Sequence, residues 1–183
     1  MSKKVDLNSY NNSWYKPGNK LKIMAWYWVN ELLLKSTLLP FSKLRLVVLR
    51  CFGAKIGFGV TIKPGVNVKY PWLLKVGNHC WIGEDVWIDN LAQVSMGDNV
   101  CISQGAMLLC GNHDFKVSTF DLITRPIKLE EGSWVCANAT VCSGVTLNSH
   151  AILSVGSVAN KDLDSYSIYQ GNPAIKIRER KIE

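Results

Sequence analysis

Between Met96 and His113 the chain reads MGDNVCISQGAMLLCGNH, and its apolar residues fall on a six-residue period. Met96, Ile102 and Leu108 open three consecutive hexads. Four places after the first two stand Val100 and Ala106; four places after the third stands Asn112, followed by His113. Bulky openers recur at Ile56, Ile62, Val76, Ile82, Ile88, Leu129, Val135, Val141, Leu147 and Leu153. The residue four places after each is small or β-branched: Val60, Val66, Cys80, Val86, Ala92, Ser133, Ala139, Val145, Ala151 and Ser157. Such a period is the mark of a parallel β-helix, in which each hexad is one short strand plus one corner and three hexads close a triangular coil. The bulky residue fills the interior and the small one fits near a corner. About five coils, stacked at strand spacing, make a prism roughly 24 Å long. A β-sandwich would also alternate apolar and polar residues, but it has no reason to hold a six-residue phase. The phase slips twice, around TyrProTrp at 70–72 and between Ile88 and Met96, where loops are expected.

The first 55 residues carry a different pattern. KLKIMAWYWVNELLLKST, residues 20–37, reads as a helix; Pro40 breaks it, and Phe41 to Phe52 reads as a second helix. The organisation expected is a helical cap or extension over 1–55, a β-helix over 56–163 and a tail over 164–183. Charge changes the picture of the first part. Residues 1–55 hold ten Lys/Arg against two Asp/Glu, a net +8, whereas 56–183 hold eleven against twelve, a net −1. The whole basic excess thus sits beside Trp14, Trp26 and Trp28. Two readings stand: a cap on the open end of the β-helix, or a helix pair on anionic lipid with tryptophans at headgroup depth and Lys43, Arg45 and Arg50 against the lipid. A nucleic-acid role is disfavoured because no recognised nucleic-acid module is present. The start of the chain is polar and no run of 18 apolar residues occurs, so neither a secretory leader nor a membrane span is expected.

Six cysteines, Cys51, Cys80, Cys101, Cys110, Cys136 and Cys142, form no CxxC pair and read as small reduced core residues of a cytoplasmic protein. Of these only Cys110 has a histidine near it in sequence. His79 and His150 each stand three places after an opener, which places them at surface corners. The γ-class carbonic anhydrases share the β-helix and bind zinc through three histidines, two of them close in sequence. The histidines here have no close pair, so no metal is expected. His113 differs from the other two. It ends a coil at a broken hexad and starts a loop of about thirteen residues near 113–126, and long excursions from a rigid scaffold are usually functional.

The motifs VGNHCWIGEDVWIDNLAQVSMGDNVCISQGAMLLCGNHDF, RPIKLEEGSWVCANATVCSGVTLNSHAILSVGSVANKDL and QGNPAIKIR cover residues 56 to about 178. In them the chain resembles the hexapeptide-repeat acetyltransferases, whose core is a left-handed parallel β-helix. It is similar to the maltose and galactoside O-acetyltransferases, and more so to acetyltransferases assigned to colanic acid biosynthesis. The resemblance implies acetyl transfer from acetyl-CoA to a saccharide hydroxyl, free or lipid-linked, in exopolysaccharide or capsule synthesis. It also implies a homotrimer with active sites between subunits, working in the cytoplasm or at the inner face of the membrane. His113 is the expected general base: an unperturbed imidazole titrates near 6.5 and can take a hydroxyl proton as attack begins. No acyl-enzyme is needed, and main-chain N–H groups on a neighbouring coil would hold the oxyanion. Where relatives carry an acceptor-site asparagine, this chain has Asp85, which accepts hydrogen bonds but, when ionised, cannot donate them. Asn112 and Asp114 are further acceptor-side candidates. Matching the cofactor positions of relatives are Trp134, Ala137, Val155, Gly156, Asn160, Lys161, Lys176 and Arg178. The basic residue usual straight after GNPA is Ile175 here, with Lys176 next to it. N-acylation of an amino sugar or amine would use the same base, and a non-catalytic scaffold would tolerate loss of His113.

Overall fold

Hexads of this kind place one side chain per strand inside a narrow prism, so successive coils must stack like on like. The computed structural model describes residues 4–38 and 40–183 and shows that stacking. Residues 1–3 and Leu39, which fall within the expected 1–55 segment, lie outside the described residues. Three parallel sheets form the faces of the prism. The first face runs through Lys55–Ile56, Leu74–Val76, Val94–Met96, Ile127–Leu129 and Thr146–Leu147. The second runs through Thr61–Ile62, Trp81–Ile82, Cys101–Ile102, Trp134–Val135, Ile152–Leu153 and Ser167–Gly171. The third runs through Asn67–Val68, Trp87–Asp89, Met107–Leu109, Thr140–Val141 and Val158–Ala159. The chain thus makes five complete coils and the second-face strand of a sixth.

The openers form ladders. Ile62, Ile82, Ile102, Val135 and Leu153 stand in register on one face, and Val68, Ile88, Leu108, Val141 and Ala159 on another. Of the twelve openers outside the GNH hexad, all but Ile56 are buried, as are all the small partners except Ala92. Corners between the first and second faces take the left-handed backbone at His79, Asn99, His150 and Tyr166, and those between the second and third at Asp85 and Asn138. Histidine, asparagine and aspartate tolerate that region better than branched residues do. His79 is exposed with its ring edge-on to Phe58, while His150 is half-buried with its ring stacked on Tyr166.

The N-terminal helices close the bottom of the prism. Helix α1 (Lys20–Val29) starts at Asn19, whose side chain accepts from the Leu21 amide. The single helix expected over 20–37 does not form: after Val29 the chain widens into a π-turn, Asn30–Leu34. The reason lies in Asn30, which is buried and bonded to the first coil. Its Nδ2 donates to Asn67 Oδ1 at 2.8 Å and its Oδ1 accepts from the Val68 amide at 3.3 Å. Trp26 Nε1 donates to the Val68 carbonyl at 2.8 Å. Helix α2 (Ser42–Cys51) does the same for the other two faces. Ser42 Oγ accepts from the Ile62 amide, and the Arg50 guanidinium donates to the carbonyls of Ile56 and Gly57. Each first-coil strand therefore has its open edge satisfied by a side chain, as an exposed sheet edge requires. Arg45 is 1% exposed and donates to the carbonyls of Leu34 and Ser36, so it is buried between the helical segments. The expectation that Arg45 faces lipid is corrected on these grounds, since it is buried and spent on main-chain carbonyls; Arg50 stays exposed while it bonds to the first coil.

At the other end QGNPA forms the turn of a hairpin between Ser167–Gly171 and Ala174–Glu179, which lies along the last second-face strands.

Candidate active site

The third–first edge of the prism carries every irregularity that the sequence showed. On the first coil, residues 70–73 bulge out, and Asn90 clamps them by accepting from the Tyr70 amide and donating to the Tyr70 carbonyl. On the third coil the chain leaves at Cys110 and returns at Arg125. The expected loop is a two-stranded antiparallel ribbon: Gly111–His113 pairs with Leu122–Thr124, with His113 opposite Leu122. Both the Arg125 amide and Ser143 Oγ donate to the Cys110 carbonyl, which ties the base of the ribbon to the coil.

His113 is half-buried between two rings. Phe120 stacks on it with centroids 4.4 Å apart and planes 7° from parallel. Tyr10 approaches from the other part of the chain, 5.7 Å away and tilted by 55°. The His113 Nδ1 lies 2.8 Å from the Phe120 carbonyl oxygen. A carbonyl only accepts, so Nδ1 carries a proton, and in the neutral ring the lone pair is then on Nε2. Phe120 holds a positive φ of 53°, an unusual conformation for an aromatic residue. Such strain gathers at functional sites, where surrounding structure over-determines it. Here one residue supplies both the ring that stacks on the imidazole and the oxygen that sets its tautomer.

Tyr10 belongs to an arm that climbs this edge coil by coil. The Pro17 carbonyl accepts from Trp72 Nε1 at 2.6 Å, and Tyr15 Oη donates to the Leu91 carbonyl at 2.7 Å. The Asp6 amide donates to the Ser118 carbonyl in the ribbon tip. Burial raises the Tyr15 hydroxyl well above the ordinary phenol range, so it is a lasting donor. The two phase slips mark where the partners of Pro17 and Tyr15 lie, at Trp72 and Leu91, but nothing in the sequence pattern joins them or brings Tyr10 to His113.

The other candidates are placed as follows. Asn112 is exposed, and its Oδ1 accepts from the His113 amide; Asp114 Oδ1 accepts from the Lys116 amide in the ribbon tip. Both shape the ribbon that carries His113. Asp85 sits on the second–third edge with φ 57°, and its Oδ1 occupies the space a side chain at Gly65 would need. Asp85 precedes the third-face strand Trp87–Asp89, while His113 follows Met107–Leu109 stacked on it. The two thus lie off opposite ends of one face, and a single chain does not bring them together.

Ala137, Val155 and Gly156 share the Asp85 edge, with the Gly156 amide donating to the Ala137 carbonyl. Beyond the Gly156 α-carbon there is open space. Trp134 Nε1 donates to Ser103 Oγ. Trp134, Ile152, Ile168, Arg178, Glu179, Arg180 and Lys181 line a groove of about 620 Å³, an apolar floor whose rim carries three cations and the Glu179 carboxylate, which is itself paired with Lys176. That combination fits a nucleotide carrying phosphates. Arg180 is engaged by the carbonyls of Gly132 and His150. Lys176 is ion-paired with Glu179 at 2.7 Å, which raises its pKa, and lies 3.9 Å from Asp164. Asn160 and Lys161 follow the last third-face strand and share the edge of His113 instead. Burial pushes the Cys110 thiol up to about 11, which leaves it no thiolate near neutral pH. Cys51 is exposed on α2, against the expectation that the cysteines lie in the core. Among the described residues no group of three or more His, Cys, Asp or Glu is placed to hold a metal ion.

No family model matches the chain. A direct relative does: over 166 residues it is 34% identical to the colanic acid biosynthesis acetyltransferase WcaF of Escherichia coli (strain K12), covering 91% of each chain. The chain belongs to this family of hexapeptide-repeat acetyltransferases. Solved structures share the fold at lower identity. A hexapeptide-repeat acetyltransferase from Vibrio cholerae O1 biovar eltor, complexed with acetyl coenzyme A, superposes with TM-score 0.80 at 19% identity over 89% of each chain. Galactoside acetyltransferase in complex with coenzyme A gives 0.78 at 20% identity, covering 88% of this chain and 82% of the other.

Proposed function

We propose that this member of the WcaF family transfers the acetyl group of acetyl-CoA to a saccharide hydroxyl in exopolysaccharide synthesis, with His113 as general base. The observation that carries the reading is the His113 Nδ1–Phe120 carbonyl bond, which leaves Nε2 as the unprotonated nitrogen. Acetyl-CoA supplies an activated acyl carbon. Nε2 takes the proton of the attacking hydroxyl, and the imidazolium so formed is stabilised at Nδ1 by the same carbonyl. It then returns the proton to the departing thiolate, and no acyl-enzyme forms.

The placement of the other residues favours a site built by two copies of the chain. One edge offers His113, Asn160 and Lys161; another offers Asp85, Ala137, Val155 and Gly156, with Trp134 and Arg178 on the adjoining second face. In a cyclic trimer the first edge of one copy meets the second of its neighbour, which completes the site. Asp85 would then accept from an acceptor hydroxyl or orient the base. Arg178 is the stronger candidate for a CoA phosphate, since Lys176 is held by Glu179.

The test is His113→Ala, assayed with acetyl-CoA against hydroxyl and amine sugars in parallel. Turnover should fall by at least ~10² with CoA affinity unchanged, because the base acts only in the transition state. Activity within a few-fold of wild type overturns the assignment, and a wild-type enzyme preferring amine acceptors replaces O- with N-transfer.

A further inference from the structure

A helix on the surface of a water-soluble protein needs one apolar face, and α1 with its π-turn has two. Trp26, Asn30 and Leu34 face the first coil. Directly opposite on the helical wheel stand Leu21, Met24, Trp28 and Leu32, each between 60% and 77% exposed. Helix α2 repeats the arrangement: Arg45, Leu46 and Leu49 are buried, while Leu44 and Val47 are 41% and 53% exposed. Helices apolar all round are found inside large proteins or against lipid. Capping the β-helix uses only the inner faces, so the outer faces are unexplained by it. Both helices pack on the same first coil, so their outer stripes point away from that end of the prism.

Charge selects what covers them. The two helical segments, residues 20–51, carry Lys20, Lys22, Lys35, Lys43, Arg45 and Arg50 against Glu31 alone; Arg45 is buried and Lys35 is paired with Glu31. Lys20 and Lys43, at the starts of the two helices, are exposed and make no ion pair among the described residues. Trp28 adjoins Tyr27 edge-to-face at 5.4 Å, and both are exposed. Aromatic rings of this amphipathic kind settle at headgroup depth, and cations beside them are drawn to anionic lipid. No helix among the described residues is long and apolar enough to cross a membrane, so the contact is one of lying on the surface.

We infer that the outer stripes of α1, its π-turn and α2 form a docking surface for an anionic lipid bilayer. The inference is independent of the reaction proposed above, because its assay contains neither acetyl donor nor acceptor. The full chain is floated with vesicles of phosphatidylcholine alone or with about one-third phosphatidylglycerol. Binding is expected to the anionic vesicles, weakened by salt as screening requires. Trp28→Ser with Leu32→Ser should reduce it at least ~10-fold, because both side chains leave the bilayer. Lys20→Glu with Lys43→Glu should reduce binding to anionic vesicles alone. All four positions are exposed, so each variant should melt like the wild type, which separates lost docking from lost folding. Three results overturn the inference: no binding to anionic vesicles at low salt, equal binding by the Trp28/Leu32 variant, or a wild-type assembly that the variant splits without vesicle binding. The last would assign the face to contact between copies of the chain.

Discussion

Replacing Trp26 by Phe tests whether the helices truly seal the first coil. Trp26 is 2% exposed and Val68 1% exposed, and the indole N–H is the donor that the structure gives the Val68 carbonyl at the sheet edge. Phenylalanine cannot donate. The stranded carbonyl costs about 1–3 kcal/mol. Shrinking the ring removes about two carbons' worth of buried surface beside Phe52, a further ~1.6 kcal/mol at roughly 0.8 kcal/mol per methylene. The expected loss is therefore about 2.5–4.5 kcal/mol, a large share of the stability of an ordinary domain. The assay is equilibrium urea denaturation at fixed protein concentration, followed by circular dichroism so that the missing indole does not bias the signal. Trp28→Phe is the paired control: its ring is 60% exposed, with no hydrogen bond to the coil, and should change stability by no more than ~0.5 kcal/mol. A Trp26→Phe loss below about 1 kcal/mol, or equal losses at the two positions, would refute the sealing argument.

Three further outcomes follow from the site and its surroundings. Tyr10→Ala should lower kcat/KM for the acceptor by ~3–10-fold, because it opens one side of the His113 cage, while Tyr10→Phe keeps the ring and stays within ~2-fold; steady-state kinetics with acetyl-CoA saturating decides it. Arg178→Ala should weaken CoA more than dephospho-CoA and Lys176→Ala should affect both little, read by calorimetry; equal loss of both ligands on Arg178→Ala would move that residue off the terminal phosphate. Main-chain and side-chain donation from Asn78 holds the Asp98 carboxyl below its ordinary value, and bonding to Lys128 and Lys176 does the same for Glu130 and Glu179. Folded values lower than unfolded ones mean stability that is present at neutral pH and is lost as pH falls past the ordinary carboxylate values toward the depressed ones. Thermal melts should be flat above that range and drop below it, and Asp98→Asn should blunt the drop.

How much of this was legible in the sequence depended on whether a residue's partner lay one period away. The interior was, because a bulky residue every six positions can only stack on its counterpart in the next coil. His113 was legible as the place where the period broke on a polar pair. The ribbon around it was not: Leu122–Thr124 carries no repeat, and its pairing with Gly111–His113 depends on a turn held by Asp114. Nor was the role of Phe120, whose value lies in a backbone conformation that aromatic residues seldom adopt. Asn30 looked like a polar interruption in a helix, and the structure makes it the residue that widens the helix to reach Val68. Asp85 and the cofactor candidates were found by resemblance, and only the topology showed that Asp85, Ala137, Val155 and Gly156 occupy a different edge from His113 while Asn160 and Lys161 share it.

The arm that climbs the third–first edge gives the enzyme an order of assembly. Coil-to-coil contacts such as Asn78 with Asp98 join residues 20 apart, so they can form early and spread from any nucleus. Tyr15 meets Leu91 across 76 residues, and Tyr10 meets His113 across a longer span still. Closing a loop of that length costs about 1 kcal/mol more than closing one of 20 residues, and the coils between must already be stacked for the two ends to meet. The arm is thus placed after the coils it climbs, and the imidazole gains its second aromatic wall only when the prism beneath it is stacked. A half-made chain would hold His113 on its ribbon with the Phe120 ring on one side and the other side open.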